Sequence, residues 1–117
     1  VTPTQRTFRA LEADGWTVDR VDCQGRHVSR DYLGVIDAIA LRGAERLAVQ
    51  ITGGGNGPAR VRKICGATGA LSALRDAGFV VEVHDWRKSK AKGWWCWKRQ
   101  IVFNNGRAVA INGDSNG

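Results

Sequence analysis

Residues 31–52 read DYLGVIDAIALRGAERLAVQIT. Asp37 lies inside the first apolar run and Gln50 inside the second. The break between them carries Gly43-Ala44, which suits the two central positions of a type II′ turn, where glycine comes first. That turn sets a register in which Leu41 faces Arg46, Asp37 faces Gln50 and Val35 faces Thr52. Directly opposed side chains project on one face, with Cβ atoms about 4.5–5.5 Å apart. Leu47, Val49 and Ile51 then point the other way, into the core. An unpaired carboxylate in a core is costly. Two arrangements answer that cost. Asp37, the Gln50 amide oxygen and the Ile51 carbonyl could hold Mg²⁺, with water completing an octahedron. Alternatively, Asp37 and Gln50 form a hydrogen-bonded pair at the sheet surface.

The elements that must position these residues follow from local signals. Thr2-Pro3-Thr4-Gln5 reads as a helix start with a capping box and proline at the first turn. Phe8 and Leu11 share its apolar face, Glu12 lies at the edge of that face, and Asp14-Gly15 ends it. Trp16–Val21 alternates like a half-buried strand, and Asp22–Asp31 with Gly25 reads as a loop. Strands are expected over Tyr32–Leu41 and Arg46–Thr52. The run Gly53-Gly54-Gly55-Asn56-Gly57-Pro58 breaks the chain. It reads either as a flexible connection or as a backbone able to approach a phosphate closely. One helix is expected over Ala59–Ala77, weakened at Gly66 and Gly69. Phe79–His84 reads as a fourth strand, and Arg99–Phe103 and Ala108–Ile111, joined by Asn104-Asn105-Gly106, read as a terminal hairpin.

The chain has 117 residues, 43% of them hydrophobic, enough for a single domain with one core. Its apolar runs are too short for a membrane helix and its first residues lack a signal-peptide apolar region, so no membrane partner and a cytoplasmic location are expected. Three cysteines without a C-x-x-C pair speak against a disulfide framework or a zinc ribbon. Net charge is +7, and between Trp86 and Arg107 there are seven Lys or Arg and no acid. Trp86, Trp94, Trp95 and Trp97 are interleaved with Lys88, Lys90, Lys92 and Lys98. Clustered cations attract polyanions through their field and counterion release, and tryptophans beside them can stack on bases. DNA is therefore the expected partner of this segment, with a solvated basic tail whose tryptophans pack on the core as the alternative.

The order helix, three strands, helix, strand over about residues 3–85, with LEADGWTVDRV followed by LGVIDAIAL, resembles the PD-(D/E)xK, restriction-endonuclease-like nuclease superfamily. Small Holliday-junction-resolvase-like and phage-encoded members are the most similar kind. The resemblance implies an α/β fold with a mixed sheet flanked by helices, carrying the basic, Trp-rich residues 86–117 as a C-terminal hairpin extension of one domain. It places the second-strand acid at Asp37, the acid-x-lysine motif at Gln50-Ile51-Thr52 and the first-helix glutamate at Glu12. Gln50 stands where the family has a carboxylate, and Thr52 where it has lysine. Lys63, projecting back from the next helix, is the candidate to replace that lysine, and Arg60 and Arg62 are candidate phosphate contacts. The implied activity is hydrolysis of DNA phosphodiesters with Mg²⁺ or Mn²⁺, ligated by Asp37, Gln50, the Ile51 carbonyl and Glu12. A catalytically inactive DNA-binding relative and a structural phage protein are the competing readings. Members commonly act as dimers, and an exposed terminal hairpin could supply such an interface, so a homodimer is among the expected partners.

Overall fold

The computed structural model describes residues 1–24, 29–91, 93–103 and 105–111. In chain order the elements are α1 (Pro3–Ala13), β1 (Thr17–Arg20), β2 (Cys23–Gln24), β3 (Ser29–Arg30), β4 (Ala38–Arg42), β5 (Glu45–Gly53), α2 (Gly57–Gly66), α3 (Thr68–Asp76), β6 (Phe79–Lys88), β7 (Trp95–Val102) and β8 (Ala108–Ile111). Six strands form one mixed sheet in the order β1-β4-β5-β6-β7-β8, and β2 and β3 form a separate ribbon. Only β5 and β6 run parallel within the large sheet. The connection between them is the α2–α3 pair, as a parallel crossover requires.

The helix start behaves as its sequence dictates. Thr2 Oγ1 accepts from the Gln5 amide at 3.1 Å, and Gln5 Oε1 accepts from the Thr2 amide at 2.8 Å. The central hairpin turns at Gly43, whose φ is +59°, and Ala44 stays at negative φ, as type II′ demands. The ladder from Ala38↔Val49 to Arg42↔Glu45 keeps the register expected from that turn. β5 is buried on both faces from Leu47 to Thr52. Leu47, Val49 and Ile51 pack with Leu11 of α1 on one side. Ala48 packs with Ile64, Leu71 and Leu74 of α2 and α3 on the other. The sheet is thus covered on both faces by helices, and Gln50 lies under α2 rather than at an open surface.

Three expectations are corrected. The helix expected over Ala59–Ala77 is two helices, divided at Ala67, whose ψ of 61° leaves the helical region beside Gly66. Strand β6 continues past His84 to Lys88, and β7 starts at Trp95, so residues 86–88 and 95–102 are strands of the main sheet rather than an appended extension. The stretch 22–31 contains the small β2–β3 ribbon; its Gly25, like Asn104 of the last turn and Lys92, lies outside the described residues.

The reason for the longer β6 is visible in its alternation. Val81 and Val83 face α2 and α3, whereas Glu82, His84 and Trp86 face α1, where all three are buried. Trp86 stacks on the opposed Trp97 with centroids 5.1 Å apart, and Trp97 meets His84 edge-on. Trp86 Nε1 donates to Thr7 Oγ1 at 2.8 Å, and that hydroxyl lies 3.3 Å from His84 Nδ1. His84 Nε2 lies 2.8 Å from Glu82 Oε1, which also receives Arg99. An indole only donates and a carboxylate only accepts, so the chain runs one way, with the His84 proton on Nε2.

Burial holds the His84 imidazole below its usual pKa, against the pull of Glu82. Burial alone would raise Glu82, but His84 and Arg99 outweigh it and hold the carboxyl below the usual range. Both groups bind protons less readily folded than unfolded, so stability falls with pH. The loss begins near the unfolded imidazole value and continues as pH drops through the folded pKa of Glu82. Glu82→Gln leaves the Arg99 guanidinium without its carboxylate and is expected to cost about 3 kcal/mol at pH 7. Urea unfolding checks this, and the deficit should shrink as acid protonates the wild-type carboxyl itself.

Candidate metal centre and nucleic-acid interface

Asp37 sits at the entrance to β4, after a tight turn over Tyr32–Ile36 whose last two residues, Val35 and Ile36, are buried. Its amide donates to the carbonyl of Val49, the residue that Ala38 already opposes, at 2.9 Å, so the regular ladder ends at Ala38 and the strand expected from Tyr32 begins only there. Its Oδ2 accepts from Gln50 Nε2 at 2.7 Å and from the Ile51 amide at 2.8 Å. Asp37 and Gln50 thus meet through their side chains, whereas the backbone register expected to oppose them, and Val35 to Thr52, does not extend past Ala38↔Val49. Ile51 contributes its N–H. Its carbonyl points toward the same neighbouring strand, because both backbone groups of a strand residue do so.

Two further acids complete the place. The Val21 amide donates to the Asp37 carbonyl at 3.0 Å, so the chain leaving β1 carries Asp22 alongside Asp37. Asp31 follows β3 and enters the Tyr32 turn. Carboxylate oxygens of Asp22, Asp31 and Asp37 lie within 4.8 Å of one another. Arg20 holds Asp22 through two bonds of 2.9 Å, and Lys63 Nζ reaches Asp31 Oδ2 at 3.1 Å. Among the described residues three carboxylates thus face two cations, and the donors to Asp37 are the neutral Gln50 amide and Ile51 N–H. Burial pushes Asp37 up to about 6; Asp31 and Asp22 add to the rise and the Ile51 amide opposes it.

Gln50 is 2% exposed, and its Oε1 is buried with no hydrogen-bond partner. Leaving such an acceptor unmade costs about 1–3 kcal/mol. Among the described residues the donor set is hard oxygen: three carboxylates, one amide oxygen and the Ile51 carbonyl, a set that suits Mg²⁺ or Mn²⁺.

The sequence-derived site is partly assembled. Asp37, Gln50 and Lys63 come together, and Thr52 is buried two residues along the same face. Glu12 does not join them. It is exposed on α1, which covers the opposite face of the sheet, and it lines a cleft with Arg20. Glu12 therefore borders the acids through the arginine that holds Asp22, and the metal-capable trio among the described residues is Asp22, Asp31 and Asp37. Sequence reasoning missed Asp22 and Asp31. Their only signal was that they bracket one polar loop, and the β1–β4 pairing is what folds that loop back onto Asp37.

The glycine run does not offer its amides to an outside anion. Asp85 accepts from the Gly55 amide at 3.2 Å and from the Gly57 amide at 3.0 Å. It thereby places an internal carboxylate at the start of α2, where a negative charge is favoured. A side chain at Gly53 would collide with the Trp86 carbonyl, so this glycine serves close packing.

The basic residues divide by face. Arg87, Lys88, Lys90, Trp95 and Lys98 line one shallow groove beside Gly54. Trp94 is 41% exposed, whereas Arg6 covers the Trp95 ring at 4.3 Å. Trp86 is buried and the partly buried Trp97 stacks on it, so these two pack on the core, while Trp94 and Trp95 are the tryptophans expected at the nucleic-acid contact. On α2, Arg60 and Lys63 are three residues apart and share a side, while Arg62 is exposed and turned away from them. β4 begins, β5 and β6 end, and β7 begins at one end of the sheet. Asp37 adjoins Val49 and Gln50, which oppose Glu82 and Val83, whereas the groove gathers around Arg87 and Lys88, farther along β6 by about 15 Å at roughly 3.3 Å per residue.

No protein-family model matches the chain, and no curated protein matches it. Among the described residues no helix is long and apolar enough to cross a membrane.

The excess carboxylate gives a stability test. Asp37 has a raised folded pKa, so its charge opposes folding fully above about pH 6 and not at all below the unfolded carboxylate value. Asp37→Asn should therefore raise Tm in chelator at pH 8 and leave it unchanged at pH 3.5. Saturating Mn²⁺ should reverse the order at pH 8. At 100 times its Kd it stabilises the wild type by about 2.7 kcal/mol, and the variant should respond much less.

Proposed function

We propose that the protein is a metal-dependent DNA endonuclease of the PD-(D/E)xK, restriction-endonuclease-like kind. The observation that carries this reading is the crowding of Asp22, Asp31 and Asp37 within 4.8 Å, with Lys63 on Asp31, at the sheet end that also bears the basic groove. An uncompensated acidic cluster does little for stability, and beside a surface that attracts polyanions it has an evident use.

In this reading Asp37, Asp22 and Asp31 hold Mg²⁺ or Mn²⁺, and the Gln50 amide turns its unpartnered oxygen to the same cation. A bound divalent ion would polarise the scissile phosphate and lower the pKa of a bound water. Lys63, on a rigid helix, takes the position that Thr52 leaves vacant. It offsets charge that develops on the phosphate as water attacks. Arg20 fixes the orientation of Asp22, and Glu12 lies behind it as a more distant acid. Arg60, Arg62, Lys88, Lys90 and Lys98 draw the phosphodiester backbone across the site, and Trp94 is the tryptophan available to touch a base.

Gln50 and Thr52 favour a second reading, a relative that binds DNA without cutting it. Cleavage of supercoiled, linear, single-stranded and branched DNA separates the two. Wild type should cut with Mg²⁺ or Mn²⁺ and not in chelator. Asp37→Ala should abolish cutting, Lys63→Met should lower it by about 100-fold or more, and Gln50→Glu should preserve or raise it by adding an anion to the site. Binding without cutting under every condition would establish the inactive relative. In the same assays, neutralising Lys88, Lys90 and Lys98 together should flatten the salt dependence of duplex binding by about 0.9 in log–log slope per lost phosphate contact. An unchanged slope would make that groove a bystander.

A further inference from the structure

The turn that delivers Asp31 and Asp37 carries two large apolar side chains in water. Tyr32 is 47% exposed and Leu33 is 45% exposed. Leu33 has a φ of +53°, and among the described residues it is the only non-glycine residue at positive φ. A branched side chain is disfavoured there, and glycine or asparagine is the ordinary solution. The backbone leaves little freedom to escape. The Tyr32 amide donates to the Ile36 carbonyl at 2.7 Å, and the Ile36 and Val35 amides donate back to the Tyr32 carbonyl. The Gly34 amide donates to the Asp31 carbonyl at 2.9 Å, and buried Val35 and Ile36 anchor the end of the turn. Neither local conformation nor burial accounts for a leucine at this tip.

Its surroundings say what would meet it. Arg30 is exposed immediately before the turn, Lys63 reaches Asp31, and Arg60 lies one helical turn from Lys63. A ligand seated here has anionic groups for the cations and a flat apolar group for Tyr32 and Leu33. A nucleotide strand has both. A paired base keeps its faces within the stack, whereas an unpaired base can lay its ring on an aromatic side chain.

We propose that Tyr32 and Leu33 form a base-stacking tip that selects DNA with an unpaired nucleotide beside the scissile phosphate, as in gapped, flapped or branched forms. The inference rests on reading the acidic cluster as the nuclease centre. It adds the substrate class and assigns two specificity-determining residues that do not take part in the chemistry.

The test measures binding by the full chain in Ca²⁺, which occupies oxygen sites with relaxed geometry. The probes are a fully paired duplex and the same duplex with one unpaired 2-aminopurine at a gap. Wild type should bind the gapped form about tenfold more tightly and change the fluorescence of the probe base. Tyr32→Ala should bring that ratio close to one. Leu33→Gly should lower the ratio while raising Tm, since glycine adopts this φ freely; a tip kept for structural reasons would give the rise in Tm alone. Equal binding of both forms by wild type, or a ratio unchanged in both variants, would overturn the inference and leave the nuclease reading standing. Wild type that binds neither form would overturn both.

Discussion

Among the described residues three carboxylates and two cations share one small volume, and the account of this protein depends on Asp37, whose donors are both neutral. Asp22 has Arg20 and Asp31 has Lys63, but Asp37 has only the Gln50 amide and a backbone N–H. Burial, with the neighbouring Asp31 and Asp22 carboxylates adding to it, lifts Asp37 to about 6. A fold that only had to be stable would have an apolar residue there, or a further cation. A divalent ion would resolve the conflict and satisfy the orphaned Gln50 oxygen with the donor chemistry already present.

The scaffold tolerates this strain because β5 beside it is held by packing on both faces. β5 is covered on both faces, so the residues opposite Asp37 cannot slip without exposing a full apolar set. On the α1 face, the chain from Trp86 through Thr7 and His84 to Glu82 and Arg99 closes a second polar cluster with each charge compensated. The contrast between the two clusters is informative. The one beneath α1 is buried with its charges paired, although the Trp97 indole N–H within it lacks a partner. The one beneath α2 is partly open and unbalanced, as a binding site is.

The hairpin was legible because one glycine turn and a two-residue period fix every opposed pair between Arg42 and Ala38; the bond from the Asp37 amide to Val49, which ends that register, was not. The capping box at Thr2 and the stop at Gly15 were equally local. Asp22 and Asp31 were not legible, because nothing within the polar loop records that β1 pairs with β4. Lys63 was legible only through the family resemblance, since helical spacing alone does not say which side of α2 faces the acids. The basic tryptophan segment was misread where long-range pairing overrode composition. Seven cations without an acid resemble a tail, yet Glu82-His84-Trp86 already alternated against Val81-Val83. That period carries β6 on to Lys88 and sends Trp86 and Trp97 inward.

The central claim is that the Asp22–Asp31–Asp37 cluster holds one divalent cation. Anomalous diffraction from crystals grown in Mn²⁺ at pH 8 tests it most directly. The account predicts a single strong peak ligated by those carboxylates, with the Gln50 amide oxygen turned toward it and Lys63 displaced from Asp31. Ordered protein with no peak at the three acids, and Lys63 still seated on Asp31 in saturating Mn²⁺, would contradict it.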